Sequence, residues 1–511
     1  FMRSRFAPWV ILAAVLAAAI LYLGLSAAQG RLGFPLDDAW IHQTYARNLV
    51  RDGRWAFVPG VSSSGSTSPF WTILLAVGYW LNLPYRLWAY GLGGITLWLL
   101  TTGGMRLWRL LWPDWANKAW LAGVALALTF PLTWAAFSGM ETLLFAALGL
   151  WVLALAMADE MDGRRTAVLG LLSGLLILTR PDGVLVVGLV GAALLWSKNE
   201  KRKTKRDAIK VYVLRLTFFA LFTILPLIPY LWFNWRVSGA WWPNTFYAKQ
   251  TEYAVLQARP LLARFVNLLF FSLGGPSEGW RGMSGAYLLL LPGLLAALKP
   301  KSARRSPKLY LPLAWALGHV LAYAWRLPVT YQHGRYLLPI IPVWVVYGLA
   351  GWFWIFKQMG DGRLARVGKR SLALTGMVIW IIFLLLGAQA YATDVAFIEG
   401  EMVTVAEWLA ANTEPDALVA AHDIGAIGYF SERPLLDLAG LVSPEIIPWL
   451  ADEAKVAAYI RRSDADSLVT APGWPYAQVV AEGTAVPLFD TDYAWTRAQG
   501  FNNMIVYRLR P

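Results

Sequence analysis

The chain contains 511 residues, of which 58% are hydrophobic and only 15% are charged. Soluble proteins carry about 25% charged residues, so this composition excludes a string of soluble globular domains. It also excludes a disordered chain, which would need low hydrophobicity. The net charge of +14 is carried mainly by short basic segments between apolar runs. That placement indicates membrane topology and contact with anionic lipid, and no nucleic-acid partner is expected.

The residue counts exclude several kinds of site. The chain has no cysteine, so disulfides, thiol nucleophiles and thiolate metal sites are excluded, and its 4 histidines argue against a zinc site built from three imidazoles. The 29 tryptophans suit the interface between bilayer and water. The sequence therefore predicts a polytopic α-helical membrane protein.

The first apolar run covers residues 8–27 and follows Arg3 and Arg5. At 1.5 Å per residue it is long enough to cross about 30 Å of hydrocarbon. No cleavage site clearly follows it, so we interpret it as a retained span. The positive charges before it place the N-terminus in the cytoplasm and the polar segment 28–67 outside, as a first external loop.

Three basic connectors predict the orientation of the later spans. They cover residues 198–206, 299–305 and 357–370, and the positive-inside rule places them in the cytoplasm. The predicted spans cover residues 119–137, 140–158, 165–179, 183–197, 211–234, 284–298, 310–326, 337–356 and 371–391. Loops must alternate between the two sides of the membrane, and residues 68–105 agree with this only as one broken or re-entrant element. This gives about eleven spans in total.

The long apolar runs stop after residue 391. Helical patterns at 404–411 and 454–462 then alternate with short β-rich runs. The predicted strands are 417–421, 435–438, 467–470, 485–489 and 504–509. This alternation favours a small extracytoplasmic α/β domain over residues 392–511, following a transmembrane domain over residues 1–391.

Asp37 and Asp38 directly follow the first span. In a helix, Asp38 and His42 would share a face. Burial near the interface and mutual repulsion should raise the pKa of such a pair, and a carboxylate tuned in this way can accept a proton from an attacking hydroxyl. The alternative is that one of the two only caps a helix. A divalent ion on the pair, Mg²⁺ or Mn²⁺, also stays open.

Other polar segments lie on predicted external loops. The Ser-rich stretch 61–68 includes Ser66 and Thr67, whose hydroxyls could bind a sugar or a phosphate, or could form a plain turn. Lys249 and Arg335 could each neutralise a departing phosphate or anchor the chain among lipid headgroups. His333 precedes Arg335 by two residues and is assigned to the same phosphate site.

Three charged residues fall near membrane depth, where an unpaired charge costs at least about 2.5–3.5 kcal/mol. Asp182 has Arg180 two residues away, and local pairing would satisfy both. Glu141 has no such neighbour, so we expect its partner to be Arg335, Lys249 or an acceptor hydroxyl. Further along the chain, His422 and Asp423 follow a predicted strand and begin a helix, which favours either an anion or sugar site or a turn capped by Asp423.

Six segments in order along the chain resemble the multi-span GT-C glycosyltransferases, and within them the mycobacterial cell-wall arabinofuranosyltransferases that add terminal arabinan residues. The segments are residues 37–71, 139–142, 180–183, 243–249, 334–339 and 423–441. The similarity thus extends over nearly the whole chain. Two departures concern the substrate: the Ser-rich stretch 62–66 replaces a more acidic and aromatic one, and the chain is shorter than the mycobacterial members.

The resemblance implies a GT-C fold and transfer of a sugar, with inversion, from a polyprenyl phosphate to an extracytoplasmic glycan, lipid or protein. It implies that Asp37 or Asp38 is the base and that the sugar is arabinofuranose. We assign substrate contacts to His42, Tyr45, Arg47, Ser66, Thr67, Glu141, Arg180, Asp182, Asn244, Tyr247, Tyr336, His422 and Asp423. No cofactor is expected to be required, and the chain is expected to act as a monomer in the plasma membrane.

Other functions stay open on sequence grounds. A mannosyl- or aminoarabinosyl-type transferase of the same superfamily would share these motifs. A transporter or flippase for lipid-linked sugars would favour charges deep within spans and inverted repeats. No repeat is visible, and the ionisable residues concentrate at the external boundary. A membrane scaffold without activity is disfavoured by the acid pair and the separate cations.

Overall fold

The structure is a computed structural model that describes residues 6–158, 161–196, 205–276, 283–298, 310–474, 476–481 and 485–509. The predicted connectors 198–206 and 299–305 lie almost entirely outside these residues. The first helices are α1 Ala7–Ala28, α2 Asp38–Asp52, α3 Pro69–Trp80, α4 Tyr85–Leu111, α5 Ala119–Ala127, α6 Phe130–Ala136, α7 Thr142–Ala156, α8 Gly163–Thr179 and α9 Val184–Trp196.

The second half of the helical part continues in the same way. Its helices are α10 Lys205–Ile224, α11 Ile228–Ser238, α12 Asn244–Glu252, α13 Leu261–Ser272, α14 Leu291–Ala297, α15 Tyr310–Arg326, α16 Tyr331–Gly334, α17 Ile341–Gln358, α18 Arg363–Phe397 and α19 Thr404–Asn412. A π-helical turn, Ile398–Val403, joins α18 to α19 without a break.

Within the part of the chain that the structure describes, four helical stretches are long and apolar enough to cross a membrane. They are Ala7–Ala28, Ile209–Ser238, Tyr331–Gln358 and Arg363–Asn412, and the bent pair Pro113–Ala127 and Phe130–Ala136 would make a fifth. Several apolar side chains on α18 are exposed, among them Leu374, Met377 and Leu386. Such an exposed apolar face is rare in a soluble monomer and is expected where helices meet lipid. The described residues support a multi-span membrane protein, and the predicted count of eleven is not confirmed.

Two predicted spans differ from the helices observed. The predicted span 119–137 is two helices that meet at an angle of 67°. The break falls where Thr129 precedes Phe130 and Pro131 near the start of α6, because a proline suits the first turn of a new helix. Residues 68–105, predicted as one broken or re-entrant element, contain two helices: α3 has 12 residues, and the longer α4 follows a turn at 81–84.

The C-terminal part contains a five-stranded sheet. Its strands are β1 Val419–Ala421, β2 Leu435–Asp437, β3 Ser467–Thr470, β4 Val486–Asp490 and β5 Ile505–Arg508. Its helices are α20 Glu453–Arg462, α21 Ala477–Ala481 and α22 Ala494–Ala498. The strand order is β2-β1-β3-β5-β4, with β1 parallel to β2 and β3, and β5 antiparallel to β3 and β4. All five predicted strands are confirmed, with ends shifted by one or two residues.

The two faces of this sheet belong to different cores. On β1, Val419 and Ala421 pack into the large core shared with the helical part, whereas Ala420 packs into a smaller core with Val456 and Ile460 of α20. This follows from the alternation of side chains along a strand. The sheet therefore packs on the helices through one face, which brings the loop after β1 against Asp37 in the segment 28–67.

Candidate functional site

Asp37 joins the first loop to the C-terminal domain. Its Oδ2 accepts a hydrogen bond from the backbone N–H of Gly425 at 2.7 Å, and its Oδ1 accepts one from Ala426 at 2.8 Å. These amides begin the helical turn that follows β1. The prediction that Asp423 caps this turn was wrong, because the carboxylate that occupies its N-terminus comes from a residue nearly 390 positions earlier. The alternative that one of the pair only caps the juxtamembrane helix is not borne out for Asp37, because it precedes α2 but its side chain makes no capping hydrogen bond to that helix.

The environment of Asp37 changes its proton affinity. Burial raises the pKa of Asp37 to about 7, and the negative charges of Asp423 and Asp38 act in the same direction. The two backbone N–H groups lower the pKa, but they do not outweigh burial. Asp37 can therefore gain or lose a proton near neutral pH.

Asp38 has the opposite environment. Its Oδ2 lies 2.5 Å from Nη1 of Arg335. Burial alone would raise the pKa of Asp38, but the positive charges of Arg335 and Lys249 hold it well below its usual range. Arg335 is only 4% exposed, and its Nε has no hydrogen-bond partner among the described residues. Neighbouring carboxylates thus differ in role: Asp38 stays ionised, while Asp37 titrates.

Two cavities meet at this ion pair. The apolar cavity, of about 400 Å³, is lined by aromatic and aliphatic side chains that include Trp242, Phe246, Trp325 and Leu327. The carboxylate cavity, of about 470 Å³, is lined by Asp37, Glu252, Asp394 and Asp423 among others. Three charged residues line both cavities, and they are Asp38, Lys249 and Arg335.

The apolar cavity ends at a buried chain of charged groups. Nε2 of His42 lies 3.3 Å from Oε2 of Glu141, and Oε1 of Glu141 lies 3.6 Å from Nη1 of Arg180. Arg180 also contacts Asp182, Nε to Oδ1, at 3.1 Å, which confirms the predicted local pair. Glu141 is paired with His42 and Arg180, so the predicted partners Arg335 and Lys249 were wrong. The opposite charges of these groups compensate one another, whereas each charge without a partner would cost free energy in an apolar surrounding.

Tyr323 completes this group from α15. Its hydroxyl accepts a hydrogen bond from Nη2 of Arg180 at 2.6 Å and donates one to Oδ2 of Asp182 at 2.8 Å. Ser66, Thr67 and Tyr336 line the same cavity, as predicted for substrate contacts. The hydroxyl of Tyr336 accepts a hydrogen bond from Nη2 of Arg335 at 3.0 Å, which ties this group to the ion pair.

Two histidines line the carboxylate cavity, each beside a carboxylate. His422 lies between Asp423, with Nδ1 to Oδ1 at 3.1 Å, and Glu252, with Nε2 to Oε1 at 3.5 Å. Burial would lower the pKa of His422, but the two carboxylates raise it to about 10. Nε2 of His333 lies 2.8 Å from Oδ2 of Asp394, so this imidazole, predicted to bind phosphate, is held by a carboxylate instead.

Four predicted substrate contacts do not line either cavity. The Tyr45 hydroxyl lies 2.7 Å from Oγ of Ser63 and supports the Ser-rich loop, and Arg47 donates to the carbonyl oxygen of Tyr429 at 2.6 Å. Asn244 donates to the carbonyl oxygen of Leu441, and Tyr247 lies on the same helix, half exposed. The observed contacts of Tyr45, Arg47 and Asn244 are structural.

Several cavity residues were not predicted. Glu252 lies three residues after Lys249 on α12, so helical spacing alone could have identified it. Tyr323, Trp242 and Asp394 lie in apolar or aromatic segments whose sequence carries no comparable signal. Within the described residues, no three His, Asp or Glu side chains are placed to hold a metal ion.

This chain is similar in structure to known proteins, whereas its sequence matches only one family model. Residues 389–506 match a family model described as "Domain of unknown function (DUF8728)". No curated protein matches the chain. Among solved structures, ArnT from Cupriavidus metallidurans bound to undecaprenyl phosphate is similar, with a TM-score of 0.60 and 14% identity over 98% of this chain and 97% of that one.

A second similar protein is the archaeal oligosaccharyltransferase AglB from Archaeoglobus fulgidus. Its complex with an inhibitory peptide and a dolichol-phosphate has a TM-score of 0.57 and 13% identity, and it covers 96% of this chain and 74% of that one. Its complex with Zn and sulfate has a TM-score of 0.59 and 13% identity over 97% and 73% of the two chains. At these identities the similarity concerns the backbone alone, and this chain shares the fold of these two proteins.

Proposed function

We propose that this protein is a membrane glycosyltransferase that moves a sugar from a polyprenyl phosphate to an acceptor hydroxyl on the extracytoplasmic side. The observation that carries the proposal is the group Asp38, Lys249 and Arg335 at the junction of an apolar and a polar cavity. A lipid phosphate has the matching chemistry, with an anionic head on an apolar chain. The solved neighbours that bind undecaprenyl phosphate and dolichol-phosphate support this class of donor.

In this proposal the donor lies in the apolar cavity. Its prenyl chain packs on Trp242, Phe246 and Trp325, and its phosphate reaches Arg335 and Lys249. Burial of the guanidinium strengthens its attraction for a phosphate because little water competes. The unpartnered Nε of Arg335 leaves a donor group free for a phosphate oxygen.

The acceptor enters from the carboxylate cavity, where Asp37 acts as the base. An acceptor hydroxyl oxygen attacks the anomeric carbon, its proton passes to Asp37, and the bond from the anomeric carbon to the phosphate oxygen breaks. The electron pair leaves with the polyprenyl phosphate, and attack opposite the leaving group inverts the anomeric centre. A base with a pKa near the working pH is the most effective, which favours Asp37 over Asp38.

The test is transfer by the purified protein from a panel of polyprenyl-phosphate sugars, with mass detection of the released lipid phosphate and the glycoside. We expect arabinofuranose to be transferred, and mannose and aminoarabinose are the alternatives in the panel. Asp37→Asn should lower kcat by about 10²–10⁴-fold while the protein stays folded. Asp52→Asn is the matched control, because Asp52 lies at the end of α2, which Asp37 directly precedes, and its ion pair within the described residues is with Arg51.

Two outcomes would contradict the proposal. Normal turnover by Asp37→Asn would show that Asp37 is not the base. Movement of lipid-linked sugar across reconstituted vesicles, with no glycoside formed from any donor, would favour the flippase alternative instead.

A further inference from the structure

The two cavities differ in charge as well as in polarity. Apart from the three charged residues that line both cavities, the apolar cavity contains two carboxylates, Glu141 and Asp182, against two arginines, Arg180 and Arg326, and His42. Its own charge is therefore neutral or positive. Adding the shared Asp38, Lys249 and Arg335 contributes one further positive charge, which suits an anionic phosphate.

The carboxylate cavity has the opposite balance. Its own charged residues are four carboxylates, Asp37, Glu252, Asp394 and Asp423, against the imidazoles of His333 and His422. With Asp37 ionised and both imidazoles protonated, these carboxylates exceed the imidazoles by two, and the shared Asp38, Lys249 and Arg335 reduce the excess to one negative charge. Asp37 has no ion-pair partner within the described residues.

These carboxylates face the cavity rather than the protein interior. The side chains of Glu252, Asp394 and Asp423 are 21%, 31% and 34% exposed. A second anion in this cavity would therefore be repelled by charges that solvent screens only in part.

Aromatic side chains of the C-terminal domain line the same cavity. Trp474 and Trp495 are half buried, and Phe501 is 61% exposed at the rim. The apolar C–H faces of a sugar ring pack against aromatic rings, while its hydroxyls reach the surrounding carboxylates and the amide of Asn502. A volume of about 470 Å³ is in the range of small-molecule sites.

We infer that the acceptor is an uncharged glycan, and that the carboxylate cavity selects against acceptors with a phosphate or carboxylate beside the accepting sugar. This inference rests on the proposed function, because it concerns the acceptor of that reaction. The difference in charge between the cavities also keeps the two substrates apart. The anionic donor is attracted to the apolar cavity and repelled by the carboxylate cavity, so it does not occupy the acceptor position.

The test compares two acceptors that differ only in charge. One is an octyl disaccharide with neutral sugars, and the other carries a uronate carboxylate in place of the hydroxymethyl group next to the accepting sugar. We expect kcat/KM to be at least about tenfold lower for the uronate, and the ratio to shrink as ionic strength rises from about 0.05 to 0.5 M. Equal or preferred use of the uronate by the unmodified enzyme would overturn the inference.

A variant tests which charges cause the selection. Glu252→Gln keeps the shape of the side chain and removes one carboxylate from the cavity, so the ratio of kcat/KM for neutral over anionic acceptor should fall several-fold. Asp394→Asn tests the same point from α18 if Glu252→Gln folds poorly. Glu445→Gln is the control, because Glu445 is exposed in the C-terminal domain and lines neither cavity. A ratio that neither variant moves would contradict the role of these carboxylates.

The readouts separate this inference from the proposed function. If no donor releases its lipid phosphate with any acceptor, the proposed transferase activity itself is wrong. If both acceptors are glycosylated at the same rate, the transferase activity stands and only the selection for uncharged acceptors is wrong.

Discussion

Arg335 reaches Asp38 from a strained backbone segment, with Nη1 2.5 Å from Oδ2. The three residues before it, Gln332, His333 and Gly334, all have positive φ angles of 52°, 56° and 67°. Such angles are costly for residues with a side chain and persist where surrounding contacts enforce them. The bond from His333 to Asp394 is one of these contacts. The segment thus directs a buried guanidinium at the junction of the two cavities.

Replacing Arg335 should show whether binding of the donor phosphate needs only a positive charge or the planar guanidinium group. Arg335→Lys keeps the charge but loses the bidentate geometry that suits a phosphate, so we expect kcat/KM to fall by about 10²-fold. Steady-state transfer kinetics provide the measurement. Arg236→Lys is the control, because Arg236 is exposed on α11 and lines neither cavity. Unchanged kinetics for Arg335→Lys would argue against a phosphate contact at this residue.

The pH dependence should report Asp37. A base acts in its ionised form, and the pKa of Asp37 is raised to about 7, so kcat/KM should fall about tenfold per pH unit below pH 7. Asp423→Asn removes a negative neighbour that raises this pKa, and it should therefore move the acid limb to lower pH. Asp416→Asn, an exposed change in the same domain, should leave the profile in place. An acid limb near pH 4 in the unmodified enzyme would be incompatible with Asp37 as the base.

The contact between the first loop and the C-terminal domain depends on a glycine. A Cβ at Gly425 would lie 2.0 Å from the carbonyl oxygen of Asp37 and 2.7 Å from its Oδ2, so Gly425→Ala must displace Asp37. We expect a loss of at least about tenfold in kcat and a lower Tm, because crowding in a packed contact typically costs about 1–3 kcal/mol. Thermal unfolding and transfer rates measure the two effects. Gly376→Ala, where nothing lies within 4 Å, should leave transfer unchanged and should not lower the Tm, because alanine is more favourable than glycine inside a helix.

The buried chain around Arg180 should contribute to stability. Arg180→Met leaves the carboxylates of Glu141 and Asp182 without their cation, and removing one partner of a buried pair costs about 3–5 kcal/mol. The Tm in detergent should fall by several degrees, whereas Arg363→Met at an exposed helix start should have little effect. A Tm unchanged by Arg180→Met would show that this cation does not compensate the two acids.

The general architecture could be predicted from composition and periodicity, because a helix or strand depends largely on the residues within its own segment. Apolar runs of spanning length identified α1, and alternating patterns identified all five strands of the C-terminal sheet. The break between α5 and α6 was not predicted, whereas a break within residues 68–105 was predicted and lies between α3 and α4. A helix bend depends on packing against neighbours as much as on the prolines near it.

For the candidate site, the reactive groups could be identified from the sequence: an acid pair after the first span, isolated cations on later loops, and Arg180 close to Asp182. Which of these groups meet depends on how the chain packs. Arg335 faces Asp38, Asp37 caps a turn at Gly425, and Glu141 pairs with His42. Those contacts join residues 99 to 388 positions apart. No local pattern encodes them, because they arise from the packing of helices and of one sheet face, which brings distant loops together.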